Sequence, residues 1–248
     1  MIALSGSGQN CECPKTVQSH SGWPTLLWFG LIVIAIFALF LLYYILPAPI
    51  AWIQSRPDPT PVTRPVPLSV GGKRFLIPSN YIVYSAERQG SQHRRVSLAA
   101  LMPDFRGFSL AEAHQFADDS ARSHVVHLRI WADDLALSEA AQLHRVLLHF
   151  VKSPRGQPGS FGLTRYSFRT DNGYRGQDLF VGVYRGQTIV LRCWRAAGTN
   201  QAPDCMRDLR LGHNVVLSYR FKRTYLGQWR QIAQGVRQLV AQFLHPSP

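Results

Sequence analysis

From Thr25 to Leu46 the chain runs for 22 residues without a charged side chain. Leu26, Leu27, Trp28 and Phe29 open the run, and Leu31 to Leu42 holds only small or apolar residues. At about 1.5 Å per residue a helix of this length just crosses a hydrocarbon core of about 30 Å. Only a helix satisfies the backbone polar groups of a single span in lipid. Trp23 and Trp28 stand at one end and Tyr43, Tyr44 and Trp52 at the other, where interfacial aromatics belong. The sequence predicts a transmembrane helix over residues 23–46. A cleaved signal peptide has a shorter apolar core, roughly 7–15 residues, closed by a small-x-small site. Here the run is longer, starts late and ends in Tyr43-Tyr44-Ile45-Leu46-Pro47, so the expectation is an uncleaved anchor.

No second long apolar run follows, which predicts a single pass. The formal net charge is +13. Glu12 and Lys15 cancel within residues 1–22, so the excess lies after the span. Arginine carries nearly all of it, Lys73, Lys152 and Lys222 being the only lysines there. A basic domain tethered to a bilayer suits an acidic protein partner or anionic lipid headgroups, or the charge is spread for solubility alone. Nucleic acid is set aside, because the chain has no zinc-ligand spacing and no compact basic helix to read a groove.

The four cysteines fall in two pairs. Cys11 and Cys13 form a lone C-x-C in residues 1–22, a polar, non-periodic stretch read as a disordered tail. Such a pair is weak evidence for a metal shared between two copies, and an incidental role is the simpler reading. Cys193 and Cys205 flank a segment rich in Gly, Asn and Pro, as two strands joined by a loop and closed by a disulfide would. A bridge there implies an oxidising compartment. Lys15 on one side of the span, against Arg56 and Arg64 on the other, leaves the positive-inside count undecided. The expected disulfide decides it: tail in the cytoplasm, domain in the periplasm, anchor in the inner membrane.

Residues 47–67 contain seven prolines, which favour an extended polyproline spacer. The domain is expected over residues 68–248. Leu68 to Ile77 reads as a hairpin turning at Gly71-Gly72. Tyr81–Tyr84, Arg95–Leu101 and His124–Trp131 read as strands. Ser109 and Glu112 have capping-box spacing for a short helix to about Ser120, and Ser138 opens a helical pattern to Val151. Further strands are expected at 161–170, 178–184, 187–194 and 214–221, with Arg185-Gly186 turning one hairpin. Leu226, Trp229, Ile232, Val236, Leu239, Val240 and Phe243 form one apolar stripe, which predicts a C-terminal helix packed on the sheet rather than an interfacial membrane helix. Hairpin-linked strands with separate helices make the fold α+β with a mainly antiparallel sheet.

The chemistry-bearing motifs are missing. No G-x-S-x-G elbow, Walker loop or dinucleotide fingerprint occurs, so no cofactor and no catalytic residue are assigned. His124 and His127 are three apart on a predicted strand, which sends their rings to opposite faces, and no metal site is assigned. The most basic stretch gathers Arg207, Arg210, Arg220, Lys222 and Arg223 around Tyr219 and Phe221. Aromatic and arginine residues together suit a protein interface, and these seven are the candidate partner-binding residues. The function expected is protein binding by an envelope protein, as an accessory or assembly subunit or as a toxin inhibitor. A different class of reading is a membrane-tethered hydrolase that uses His124 or His127 with Asp118 or Asp119. It requires a pocket that joins those side chains.

Overall fold

A computed structural model describes residues 23–45, 56–196 and 202–244. The expected tail over residues 1–22, with Cys11 and Cys13, lies outside the described residues, as does the first part of the proline-rich stretch. The chain divides between Trp52 and Ile53 into two units, each taken by itself. In the first, α1 spans Trp23–Ile45, 23 residues with no acidic or basic side chain in either end turn. Its Leu27–Tyr44 window has a mean hydropathy of 2.5 and is buried nowhere, so the helix is long and apolar enough to cross a membrane.

The second unit is built on two sheets. Strands β1 (Pro65–Val70), β2 (Lys73–Pro78) and β3 (Gln92–His93) form the smaller, in the order β2-β1-β3. The larger has eight antiparallel strands: β4 (Arg95–Leu101), β5 (Val125–Ala132), β6 (Gln157–Pro158), β7 (Thr164–Ser167), β8 (Gln177–Tyr184), β9 (Gln187–Trp194), β10 (Asp204–Gly212) and β11 (Val215–Lys222). Their spatial order is β4-β5-β11-β10-β9-β8-β7-β6. The β1–β2 turn uses Gly71 and Gly72 at φ of 55° and 80°, which L side chains rarely adopt. A Cβ on Gly71 would also stand 2.4 Å from the Asn214 carbonyl oxygen. The fold is α+β with a mainly antiparallel sheet, as the alternating runs imply.

Residues 56–67 lie along this domain instead of standing off it. The Asp58 N–H donates to the Val83 carbonyl, Arg88 grips the Asp58 carboxylate at 2.8 Å, and the Ser79 hydroxyl donates to the Arg64 carbonyl. Pro65 and Pro67 enter β1 on the stretch where β2 is its sole neighbour, so their missing N–H groups break no ladder.

Three local expectations are corrected. Tyr81–Tyr84 is not a strand. Ser79–Tyr81 is a 3₁₀ turn, followed by a single bridge from Ile82 to Leu98. Ser109 and Glu112 make no capping box, since the serine hydroxyl donates to the Glu112 carboxylate, whose other oxygen is held by Arg106. With the glutamate engaged there, only a 3₁₀ turn and α2 (Ala113–Phe116) form, and the chain turns off before Ser120. Third, Asp204–Gly212, outside the expected strands at 187–194 and 214–221, form β10, inserted between β9 and β11.

The other helices follow their sequence signals. Ser138 caps α3 (Glu139–Arg145), its hydroxyl accepting from the Ala141 N–H, and a 3₁₀ turn at Leu147–His149 completes the stretch. The C-terminal helix α4 (Trp229–Phe243) buries Trp229, Ile232, Ala233, Val236, Leu239, Val240 and Phe243 and leaves Arg230 and Arg237 exposed. Each large side chain so buried contributes roughly 1.5–3 kcal/mol.

Candidate functional site

The large sheet has two faces with different cover. Along one, α4 and the small sheet build the main core against Val96, Leu98, Leu128, Ile130, Leu217, Tyr219, Leu191 and Phe180. Along the other, Leu143, Leu147, Val151 and Phe168 seal only the β8–β9 half, through Leu179 and Val190. Over the β4-β5-β11-β10 half of that second face no helix packs among the described residues except at one end, where Leu135, Leu137, Gln142 and Val146 meet Trp131, Asp208 and Val216.

Strand register orders the residues of this half into cross-strand rows. One row runs Arg95, Trp131, Val216, Arg210; the next runs Ser97, Arg129, Ser218, Asp208; the third runs Ala99, His127, Arg220, Met206, Arg192. Of these, Ser97, His127, Arg129, Trp131, Met206, Asp208, Ser218 and Arg220 line a groove of about 360 Å³, walled on one side by Val83 and Tyr84. Opposite neighbours in such rows are close enough to interact directly, and like charges there repel.

Cations outnumber carboxylates on this face, where Glu87, beside Arg95 and Arg129, accepts from the Ser97 N–H at 2.7 Å. Arg192 pairs with Asp208 at 2.6 Å, and Lys222 pairs with Asp119 and Asp204. Among the described residues no carboxylate lies within ion-pair distance of Arg95, Arg129, Arg210 or Arg220. Burial, reinforced by the Arg220 guanidinium beside it, lowers the His127 pKa from 6.5 to about 4, so the ring is neutral at pH 7.

The seven candidate partner residues do not share one surface. Arg220 and Arg210 are exposed on the open face. Tyr219 and Phe221 point the other way, into the main core, because neighbours along a strand alternate faces. Arg207 is 3% exposed and Lys222 7%, so neither is available to a partner. Arg207 is committed to Glu139 and Tyr219, and Lys222 to Asp119 and Asp204. Burial works against charge on Arg207, but its bonds to Glu139 and Tyr219 outweigh this and hold its pKa above the ordinary value. Arg223 lies past the end of β11 and joins a separate cluster around Asp178. Sequence reading missed Arg129, Trp131 and Ser97. Their signal was the alternation of the β4 and β5 runs, legible only once β5 is known to pair with β11.

The hydrolase constellation does not assemble. The His124 ring meets the Tyr225 hydroxyl at 3.1 Å, outside β5, while His127 faces the groove. Asp118 accepts from the Ser120 N–H, and Asp119 is held by Lys222 at 2.6 Å. Among the described residues neither aspartate is hydrogen-bonded to a histidine, and no cluster of metal-ligating side chains forms.

Cys193 and Cys205 are bridged, directly opposite one another on β9 and β10. No protein-family model and no characterised sequence matches the chain. Its fold is similar to that of Smlt3025, an immunity protein of the Stenotrophomonas maltophilia type IV secretion system, at 18% identity and a TM-score of 0.53, over 74% of this chain and 94% of that one. A weaker likeness is to the Neisseria meningitidis iron-regulated outer membrane lipoprotein FrpD, at 17% identity and a TM-score of 0.47, over 77% and 98% of the two chains. At such identities the likeness is one of fold.

Proposed function

We propose that this chain is a single-pass envelope protein whose C-terminal domain lies outside the cytoplasm and binds an acidic protein there, as a toxin inhibitor or an accessory subunit of an envelope complex. The observation that carries the reading is the open β4-β5-β11-β10 face, where Arg95, Arg129, Arg210 and Arg220 stand around Trp131 without carboxylate partners. Guanidinium groups free of ion pairs, on a sheet face with an aromatic, are the residue types that concentrate binding energy at interfaces. Electrostatic complementarity also speeds encounter with a partner of opposite charge. The fold likeness to an immunity protein favours the inhibitor form of the reading. The apolar α1 and the Cys193–Cys205 bridge support an anchor with the domain in an oxidising compartment.

The test is affinity purification of the full chain from membranes in mild detergent, comparing wild type with Arg129→Glu/Arg220→Glu. Both side chains are exposed, so the fold tolerates the change. An acidic protein retained by wild type and lost from the variant supports the reading. A partner retained equally by both removes the open face from it.

A further inference from the structure

On the α4 side of the large sheet, away from the open face, three arginines converge on one buried carboxylate. Asp178 has no exposed side-chain surface. Arg165 donates to both of its oxygens at 3.2 Å, Arg223 donates at 2.9 Å, and the Arg195 Nε lies 3.9 Å away. Among the described residues Asp178 is the one carboxylate within ion-pair range of any of the three. One carboxylate against three guanidinium groups leaves the cluster with an excess of two positive charges.

The strands hold this arrangement in place. Asp178 stands opposite Cys193 in the β8–β9 register, and the disulfide fastens β9 to β10. Arg195 follows β9, its N–H donating to the Gly176 carbonyl. Arg223 follows β11; its N–H donates to the Pro203 carbonyl and its guanidinium to the Trp194 carbonyl at 2.6 Å. The Arg223 guanidinium also lies over the Phe180 ring at 5.5 Å.

Two donors in the cluster have nothing to bond. The Nε atoms of Arg165 and Arg195 are buried and make no hydrogen bond among the described residues. A buried donor left unmade is costly, and a charged one more so. Yet the cluster is open from outside, with Arg165 42% and Arg195 39% exposed. Excess positive charge and an open side together suit a small anion with several acceptor oxygens.

We propose that Arg165, Arg195 and Arg223 form a binding site for an oxyanion, a carboxylate or a phosphate, with Asp178 fixing the guanidinium planes. Bound there, its oxygens meet the exposed parts of the Arg165 and Arg195 side chains and offset the repulsion among the three cations.

The test is to titrate the full chain in detergent micelles with inorganic phosphate and, separately, acetate, reading the arginine Nε–Hε resonances by NMR. Saturable shifts are expected at Arg165 and Arg195, with Arg129 and Arg220 on the open face unmoved. Saturation by acetate alone assigns the site to carboxylates, and by phosphate alone to phosphates. Arg195 donates no side-chain hydrogen bond among the described residues, so Arg195→Gln should leave the fold intact. It should weaken binding about tenfold, the loss of one charged contact. Overturning results are the absence of saturable shifts, which makes the cluster a structural network only, and equal shifts at every exposed arginine, which marks unspecific ion accumulation.

Discussion

Glu139 and Arg207 meet across a seam in the large sheet, their side chains joined by bonds of 2.8 and 2.7 Å. Strands β9 and β10 are paired only at Cys193–Cys205 and Arg192–Met206. Beyond that point they part, and the Val190 N–H has no strand partner. The Glu139 carboxylate, presented by the first residue of α3, accepts that N–H at 3.1 Å as well as the Arg207 guanidinium. One side chain thus closes a gap in the ladder and neutralises a buried cation.

Removing one partner of a buried pair leaves the other uncompensated. Glu139→Gln is therefore expected to destabilise the domain by about 3 kcal/mol, measured as a loss of unfolding free energy in urea. The double change Glu139→Gln/Arg207→Met should cost less than the sum of the two single changes, because the stranded charge is gone.

The disulfide carries a second expectation. It ties β9 to β10 at the start of the same seam. Cys193→Ser and Cys205→Ser should each destabilise by roughly 3 kcal/mol in the chain-entropy account, and the double change by little more than either. Thermal melting with and without reductant checks this, since reduction should shift wild type and leave the variants unmoved.

This seam also shows why part of the fold escaped the sequence. The disulfide pair was legible from spacing and loop composition, as were the apolar helix α1, the Gly71-Gly72 hairpin and the stripe of α4. Strand β10 was not. Its outward residues Met206, Asp208 and Arg210 face the open side, and its inward run holds Arg207 where an apolar residue would signal a strand. That arginine is buried because Glu139, 68 positions away, meets it. No local pattern carries that fact. The same blindness put Arg207, Lys222, Tyr219 and Phe221 on a partner surface: a basic, aromatic run looks alike whether its members are exposed or sealed by distant ions.

His127 sets a pH dependence. Its pKa falls from 6.5 to about 4 in the folded domain, through burial and then Arg220, with Lys222 adding to the effect and Asp204 and Asp119 opposing it. Between these values the unfolded chain binds the extra proton, so stability is complete above about pH 6.5 and declines as pH falls toward 4. The loss from this group is at most ~3 kcal/mol. Urea unfolding across that range should show a steeper decline for wild type than for His127→Gln.

Gly235 lies inside α4, where Ala is normally the better helix former by about 1 kcal/mol. Here a Cβ would fall 1.9 Å from the Phe105 ring, itself buried. Gly235→Ala should therefore destabilise by ~1–3 kcal/mol, the usual cost of overpacking. Gly235→Ala/Phe105→Leu should recover part of that loss in the same unfolding assay.

The central claim is that the uncovered sheet face meets an acidic protein. Site-specific photo-cross-linking in intact membranes tests it most directly. A photoreactive side chain is placed at Ser97 or Ser218 on the open face, and at Leu76 or Gln238 on the domain's other surfaces. The account predicts one discrete protein adduct from Ser97 and Ser218, none from Leu76 or Gln238, and loss of that adduct in the Arg129→Glu/Arg220→Glu background. Adducts arising only from Leu76 or Gln238, or persisting unchanged after the charge reversal, would contradict it.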